Sequence, residues 1–197
     1  QHTDIDPKRI EKRLATNYID KMTYSYEEAR DIVMEAKLKG KNISEITKKY
    51  PKTHFDFHAH NDYDLSVSNV IESLKGGCHG LHLTINGMGE RAGNAPMASV
   101  AAVIKDFIPD VEINLKEESL YKVSKLVSAF TGFRIPANKP IVGENVFTQT
   151  AGIHADGDSK KNLYYNDLLP ERFGRKRKYA LGKTSGKANI RKNLQDL

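Results

Sequence analysis

Strand-like and helix-like runs alternate over residues 54–107, and this order leaves few possible folds. His54–His58 and Gly80–Asn86 have the short apolar pattern of strands. Residues 67–74 have helical periodicity that ends at a Gly-Gly pair, and Pro96–Phe107 has the pattern of a second helix. Strand, helix, strand and helix at this spacing predict parallel strands joined by right-handed crossovers. The expected class is therefore α/β.

The residues on either side of this segment predict further helices and a loop-rich region. Residues 1–50 are polar, with one helix predicted at Pro7–Met22 and another over 25–40, begun by a Ser-x-x-Glu capping box. A longer helix is predicted at Glu117–Phe130. Residues 141–197 are rich in glycine, which predicts a small appended subdomain whose motifs lie on loops.

Composition excludes some classes of protein. The chain of 197 residues has a single cysteine, Cys78, which excludes an intramolecular disulfide and a cysteine-based zinc cluster and fits a reducing cytoplasm. Cys78 is expected to be buried. No run approaches the roughly 18–20 apolar residues of a membrane helix, and Gln1–Ile10 has no signal-peptide pattern. We therefore expect a soluble cytoplasmic protein.

Positive charge is concentrated at the end of the chain. Ser159–Leu197 has 11 Lys and Arg against 3 Asp and Glu, whereas the whole chain has a net charge of +6. Such a stretch suits nucleic acid, an anionic membrane or a phosphorylated small molecule. A solvated surface with a few cations at helix ends explains the same composition.

The His-Ala-His-Asn-Asp segment at 58–62 is the sharpest local signal. Residues two apart on a strand point to the same face, so His58 and His60 are placed to present two imidazoles to one point. They lie at the carboxyl end of a predicted parallel strand, where α/β folds build their sites. Two imidazoles suit a divalent transition metal. Taken alone, the pair is equally consistent with histidines that bind no metal.

The loop over 86–94, Asn-Gly-Met-Gly-Glu-Arg-Ala-Gly-Asn, follows the next predicted strand and opens on the same face. Its three glycines permit a close backbone approach or a positive φ. Glu90, Arg91 and Asn94 supply polar groups there. The alternative is a tight turn whose Glu90–Arg91 pair fixes only its shape.

The Gly-Ile-His-Ala-Asp-Gly segment at 152–157 places His154 and Asp156 in a predicted glycine-flanked loop. A histidine beside a carboxylate is a reasonable general acid or base, because its charge changes near neutral pH. The alternative is a surface histidine in a turn.

Two blocks of motifs resemble one family. HxHND at 58–62 and NGxGERAGN at 86–94 resemble the end of the catalytic barrel of the isopropylmalate, citramalate and homocitrate synthase family, of DRE-TIM metallolyase type. GIHADG, NLY, LPERFGRKR and ALGKTSGKA resemble the subdomain after that barrel. The resemblance implies a TIM (β/α)₈ barrel, incomplete here and covering residues 1–135, followed by a linker subdomain over 136–197.

The resemblance also implies an acyltransferase reaction. Acetyl-CoA condenses with a 2-oxo acid, pyruvate or 2-oxoisovalerate, and the thioester is then hydrolysed, in leucine or isoleucine biosynthesis. His58, His60 and Asn94 are the implied ligands of a divalent metal (Zn, Mn or Mg), and His154 and Tyr164 the implied catalytic pair. The residues implied to contact acetyl-CoA are Asp156, Asn162 and Leu163.

The family also implies a homodimer in which the linker subdomain reaches the partner's active site, and a basic segment that meets CoA phosphates or the dimer partner. The 197 residues lack the Asp-x-x-x-Arg-Asp-Gly segment with which the family barrel begins. We therefore expect these residues alone not to turn over substrate. Two other hypotheses are a homocitrate synthase and a non-catalytic CoA- or partner-binding module. The only support for a nucleic-acid-binding hypothesis is the positive charge of residues 159–197.

Overall fold

The structure, a computed structural model, describes residues 43–159 and 168–195. Outside these ranges lie two predicted helices and three predicted site residues: Pro7–Met22, residues 25–40, Asn162, Leu163 and Tyr164. The chain divides into two compact units. Of the described residues, 43–58 and 68–82 belong to the first unit, and 59–67, 83–159 and 168–195 belong to the second.

The helices and strands follow the predicted alternation. In chain order they are α1 (Ile43–Lys49), β1 (Asp56–His58), α2 (Ser66–Lys75), β2 (Gly80–His82), α3 (Met97–Phe107), α4 (Leu120–Thr131), β3 (Thr148–Gln149), α5 (Gly152–Ser159), β4 (Lys178–Tyr179) and α6 (Lys187–Gln195). Short 3₁₀ helices cover Ile85–Gly87, Glu117–Ser119 and Pro170–Phe173. No helix within the described ranges is long and apolar enough to cross a membrane.

The first unit contains the parallel strand pair that the sequence predicts. Strand β1 pairs with β2 in parallel, with His58 opposite His82. Helix α2 ends where the Gly-Gly pair was expected to end it, since Gly77 has φ +94. Cys78 is buried as predicted, and burial raises the pKa of its thiol. The βαβ pattern is therefore confirmed in this segment.

Strand β2 is shorter than predicted, because it ends at His82 and not at Asn86. Asn86 has φ +61 and Gly87 has φ +71. Two successive residues in the left-handed region cannot continue an extended strand. The chain forms a 3₁₀ turn there instead and enters the glycine-rich loop.

The core of the second unit forms around Phe173, whose side chain is fully buried. It packs in a cluster of buried residues with partly buried neighbours, and its ring lies 5.9 Å from that of Phe147. The other buried members are Ala102, Leu120, Ile141 and Val142. The Leu-Pro-Glu-Arg-Phe-Gly-Arg motif thus places its phenylalanine against α3, α4 and the connection after α4.

The two arginines of that motif make internal contacts. Arg172 donates to Glu117 through Nη2 (2.7 Å) and Nε (3.2 Å), and to Asp106 through Nη1 (2.8 Å). Arg175 donates to backbone carbonyls, including that of Gly143 at 2.6 Å. Two of the basic residues of this region therefore form contacts within the second unit. The role of the other basic residues stays a prediction.

The Glu117 carboxylate makes stability depend on pH. Burial raises its pKa, but hydrogen bonds from Arg172 and from Lys105 (2.7 Å) outweigh burial and hold the pKa below its ordinary 4.5. A pKa depressed in the folded state stabilises the fold above the unfolded value, and this stabilisation is lost as pH falls through the folded pKa. We expect the unfolding free energy, measured with urea, to fall below pH 4.5 and to depend less on pH in Glu117→Gln. The exposed neighbour variant Glu118→Gln is the control; identical pH profiles for the two variants would contradict this account.

The segment at 152–157 forms helix α5, so the prediction of a loop is wrong. Gly152 packs against a neighbour distant in sequence: a Cβ there would lie 2.7 Å from the backbone nitrogen of Gly186. Its N–H donates to the carbonyl of Thr184 (3.0 Å). The glycine therefore serves a close contact beside α6 and not a turn, and tertiary packing outweighs its low helix propensity.

Candidate metal centre

His60 and Asn94 lie opposite each other in an isolated antiparallel bridge within the second unit. Two backbone hydrogen bonds flank the pair, from Ala95 N–H to Ala59 (3.2 Å) and from Asn61 N–H to Gly93 (2.8 Å). The pair itself is therefore the non-hydrogen-bonded kind, in which side chains on one face come closest. The structure thus brings together two of the three predicted metal ligands.

The amide oxygen of Asn94 is a suitable ligand atom for a cation. Asn94 is 8% exposed, and its Oδ1 is buried and accepts no hydrogen bond from any residue the structure describes. Burying an amide oxygen without a partner costs about 1–3 kcal/mol, and a cation bound at this atom would offset that cost. Amide oxygens and imidazole nitrogens together suit Zn²⁺, Mn²⁺ or Mg²⁺. His60 and Asn94 therefore fit the implied metal.

The three glycines of the loop are required by its geometry, as predicted. Gly87 has φ +71 and Gly93 has φ +90, both in the left-handed region. A Cβ on Gly93 would lie 2.1 Å from the carbonyl oxygen of Gly87, and one on Gly89 would lie 2.5 Å from Nδ2 of Asn94. The loop backbone therefore packs directly on the Asn94 amide and restricts its orientation.

We expect Gly93→Ala to destabilise the protein by more than about 1 kcal/mol, because it combines a left-handed φ with a clash. Gly132→Ala is the matched control, since Gly132 also has a positive φ (+71) but a Cβ added there would have no atom within 4 Å. Urea unfolding of the two variants separates the cost of the clash from that of the backbone. Equal losses of unfolding free energy would mean that the loop relaxes around the added methyl group.

Arg91 forms a bidentate ion pair with Asp62 and does not use its neighbour Glu90 as the partner. Nε lies 2.9 Å from Oδ1 of Asp62, and Nη2 lies 2.7 Å from Oδ2. The hydrogen bonds from Arg91 lower the pKa of the Asp62 carboxyl, and those to Asp62 raise the pKa of the Arg91 guanidinium. The HxHND segment and the glycine loop are therefore joined by side chains as well as by backbone.

His58 lies at the end of β1 in the first unit, whereas His60 and Asn94 lie in the second. Its ring stands edge-on to that of His82, with the ring centres 5.8 Å apart. Within residues 43–159 and 168–195 no group of three or more His, Cys, Asp or Glu side chains is arranged to hold a metal ion. The role of His58 as a ligand therefore stays a prediction.

The first unit also contains a group of histidines that sequence reasoning missed. Asp56 lies 2.8 Å from Nε2 of His54 and 3.4 Å from Nε2 of His82. The His54 ring stacks on that of His79, with centres 5.0 Å apart. Residues 54, 56 and 58 share one face of the strand predicted at His54–His58, so the period of two was the available signal. The contact between Asp56 and His82 on β2 could not be predicted, because the sequence does not give the register of the two strands.

His154 and Asp156 both lie on helix α5, with His154 exposed. Residues two apart on a helix point to different sides, so the helix does not by itself align this carboxylate with the imidazole. Their catalytic and acetyl-CoA-binding roles stay predictions, as do those of Tyr164, Asn162 and Leu163, which lie outside the described residues.

Asn189 and Ser185 position the residues next to α5, and sequence reasoning missed both. Asn189 is fully buried and donates through Nδ2 to the carbonyl of Thr150 (2.6 Å). Ser185 donates to the same carbonyl (2.8 Å). The available signal was the Thr-Ser-Gly-Lys-Ala-Asn run, whose small and polar residues suit a buried turn.

Two family models match the chain in succession. The HMGL-like model matches residues 31–127, and the model described as Homocitrate synthase post-HMGL domain-like matches residues 141–197. Together they cover most of the chain.

Relatives with curated names match at about 40% identity. A putative (R)-citramalate synthase of Methanopyrus kandleri is 41% identical over 140 residues, which is 71% of this chain and 27% of the relative. A probable 2-isopropylmalate synthase of Ignicoccus hospitalis is 43% identical over 140 residues, 71% of this chain and 35% of the relative. The 2-isopropylmalate synthase of Methanocaldococcus jannaschii is 41% identical over 155 residues, which is 79% of this chain and 30% of the relative. The chain therefore spans about a third or less of the length of these relatives.

Proposed function

Because the chain belongs to the isopropylmalate and citramalate synthase family, with its HMGL-like and post-HMGL segments, we propose that it forms part of an acyltransferase. The proposed reaction condenses acetyl-CoA with a 2-oxo acid and hydrolyses the thioester. The observation that carries the proposal is the opposition of His60 and Asn94, with a buried amide oxygen that has no partner among the described residues.

In the proposed reaction the methyl carbon of acetyl-CoA loses a proton and attacks the ketone carbon of the 2-oxo acid. Water then attacks the thioester carbon, and CoA leaves as the thiol, so the products are a 2-hydroxy diacid and free CoA. His60 and Asn94 would hold a divalent cation, which would supply Lewis-acid polarisation of the ketone when bound. The role of His58 as a third ligand stays a prediction.

Residues of the chain have separate roles in this proposal. His60 and Asn94 bind and orient, because the bridge and the packed glycine loop fix their backbones. His154 and Tyr164 are proposed to move protons during carbon–carbon bond formation and water attack. Asp156, Asn162 and Leu163 are proposed to contact acetyl-CoA. The support for these last five residues is the family motif alone.

The substrate proposals are pyruvate and 2-oxoisovalerate, since the relatives carry citramalate synthase and 2-isopropylmalate synthase names. One observation favours a second candidate: residues 141–197 match a model described as homocitrate synthase post-HMGL domain-like. Formation of homocitrate by this reaction requires 2-oxoglutarate as the 2-oxo acid. Pyruvate and 2-oxoisovalerate place the enzyme in isoleucine and leucine biosynthesis, respectively.

We further propose that the enzyme is a cytoplasmic homodimer in which residues 136–197 reach the partner's site, formed by the barrel over 1–135. The support is the family resemblance and the single buried Cys78, which fits a reducing compartment. Mixed dimers of His154→Ala and His60→Ala proteins would then regain part of the activity. Absence of recovery in verified mixed dimers would contradict the exchange.

Release of free thiol from acetyl-CoA tests the proposed function. The purified protein, in the length in which it is naturally made, is assayed with pyruvate, 2-oxoisovalerate and 2-oxoglutarate, each with Mg²⁺, Mn²⁺ or Zn²⁺ and with chelator. We expect metal-dependent release with one of the first two acids. Release with 2-oxoglutarate alone would favour the homocitrate synthase candidate, and no release with any acid would contradict the proposal.

A further inference from the structure

We infer that the Asp62–Arg91 ion pair is a positioning device that sets the distance between His60 and Asn94; the inference rests on the proposed function. Asp62 follows His60 by two positions, and Arg91 precedes Asn94 by three. The pair therefore ties together the two chain segments that supply the proposed ligands, on the side of the bridge where the glycine loop turns.

The backbone of Arg91 indicates that this loop conformation is held in place from outside. Arg91 has φ +55, in the left-handed region that side chains other than glycine rarely adopt. Such a conformation persists only where the surroundings over-determine it. Two observed restraints do so: the bidentate contact to Asp62 and the hydrogen bond from Gly93 N–H to the Glu90 carbonyl (2.9 Å).

The segment that carries Asp62 is itself anchored. Oδ1 of Asn61 accepts hydrogen bonds from the backbone N–H (3.2 Å) and hydroxyl (2.6 Å) of Ser66, the first residue of α2. Ser66 is fully buried. Asp62, the partner of Arg91, is therefore restrained, because the adjacent residue Asn61 caps helix α2.

The exposure of the Asp62–Arg91 ion pair indicates that it orients the two segments more than it stabilises the fold. The side chains of Arg91 and Asp62 are 56% and 39% exposed, and ion pairs this exposed contribute little to the unfolding free energy. A bidentate arginine–carboxylate contact nevertheless fixes both planes and distances, which a single lysine contact does not. The expected consequence of losing it is a misplaced ligand pair in a protein that remains folded.

The test uses Arg91→Ala, Arg91→Lys, Asp62→Asn and the exchange Asp62→Arg with Arg91→Asp. Titration calorimetry with Mn²⁺ is expected to show a dissociation constant raised about tenfold in the single variants, as for other residues that orient metal ligands, with recovery in the exchange. Urea unfolding is expected to stay close to wild type. Lys75→Ala, which breaks the exposed Glu72–Lys75 pair (2.9 Å) within α2, is the control and should bind Mn²⁺ as wild type does.

Hydrogen exchange gives a readout that needs neither metal nor substrate. The amide hydrogens of Asn61 and Asn94, which donate across the bridge and within the loop, should exchange faster in the single variants, whereas those of α4 should not. Unchanged Mn²⁺ binding or unchanged exchange in the single variants would overturn the inference. Wild-type protein that binds Mn²⁺ but releases no thiol would count against the proposed function alone.

Discussion

Phe173→Ala is expected to lower the unfolding free energy by about 3–5 kcal/mol, the range typical of truncating a buried phenylalanine. Phe173 is fully buried and stacks near Phe147, and the residues around it come from distant parts of the chain. A cavity there cannot close by a local shift, because helices α3 and α4 and the residues after α4 form its walls.

Phe130→Ala is the matched control for that variant. Phe130 is 79% exposed, so its truncation removes little buried surface. Urea unfolding of the second unit, followed by a probe within it, gives both values. If Phe173→Ala came within about 1 kcal/mol of Phe130→Ala, the packing around Phe173 would be looser than described.

Asn94→Ala is expected to weaken Mn²⁺ binding by more than about 100-fold and to reduce thiol release in proportion. Loss of a group that merely orients a metal ligand costs about 10–100-fold, and loss of a ligand exceeds that range. The unfolding free energy should change little or rise, because the variant removes a buried oxygen that accepts no hydrogen bond from the described residues.

Asn86→Ala separates this effect from general damage to the loop. Asn86 is also buried, but its amide donates to the carbonyl of Ser124 (3.0 Å) and accepts from the hydroxyl of the same residue. Its loss should lower the unfolding free energy while Mn²⁺ affinity stays within a few-fold of wild type. The reverse pattern, with Asn86→Ala losing the metal and Asn94→Ala keeping it, would mean that the wrong asparagine has been assigned.

The sequence predicted the elements whose pattern is local. Apolar periodicity located α2, α3 and α4 to within a few residues, and the strand–helix–strand order predicted the parallel pairing of β1 with β2. The glycines of the loop after β2 were predicted to allow positive φ and close approach, and Gly87 and Gly93 do so. These features follow from neighbours in the chain, which are visible in the sequence itself.

Features that depend on distant residues could not be predicted. Gly152 was expected in a loop, because glycine is rare inside helices. Its close contact with Gly186, which explains why a glycine lies in this helix, is not visible in the sequence. The sequence offered Glu90 only as an alternative partner of Arg91, whereas the observed partner, Asp62, lies 29 positions away. Arg172 and Glu117 are 55 positions apart, so the sequence did not show that one arginine of the basic segment forms a largely buried ion pair.

Contacts at the candidate site also depend on residues that are distant in the sequence. The period of two along a strand predicted that His58 and His60 are metal ligands, and the family motif added Asn94 as a third predicted ligand. The bridge pairs His60 with Asn94, while the structure describes His58 beside His82 in the other unit. The pairing of His60 with Asn94 follows from a long-range register that the strand pattern does not contain.

Anomalous diffraction from crystals of the protein grown with Mn²⁺ would show whether His60 and Asn94 bind one metal ion. We expect a single strong peak within about 2.0–2.5 Å of both the Asn94 Oδ1 atom and an imidazole nitrogen of His60. A Mn²⁺ peak bound elsewhere on the protein, with Asn94 and His60 in their described positions and no metal between them, would contradict it.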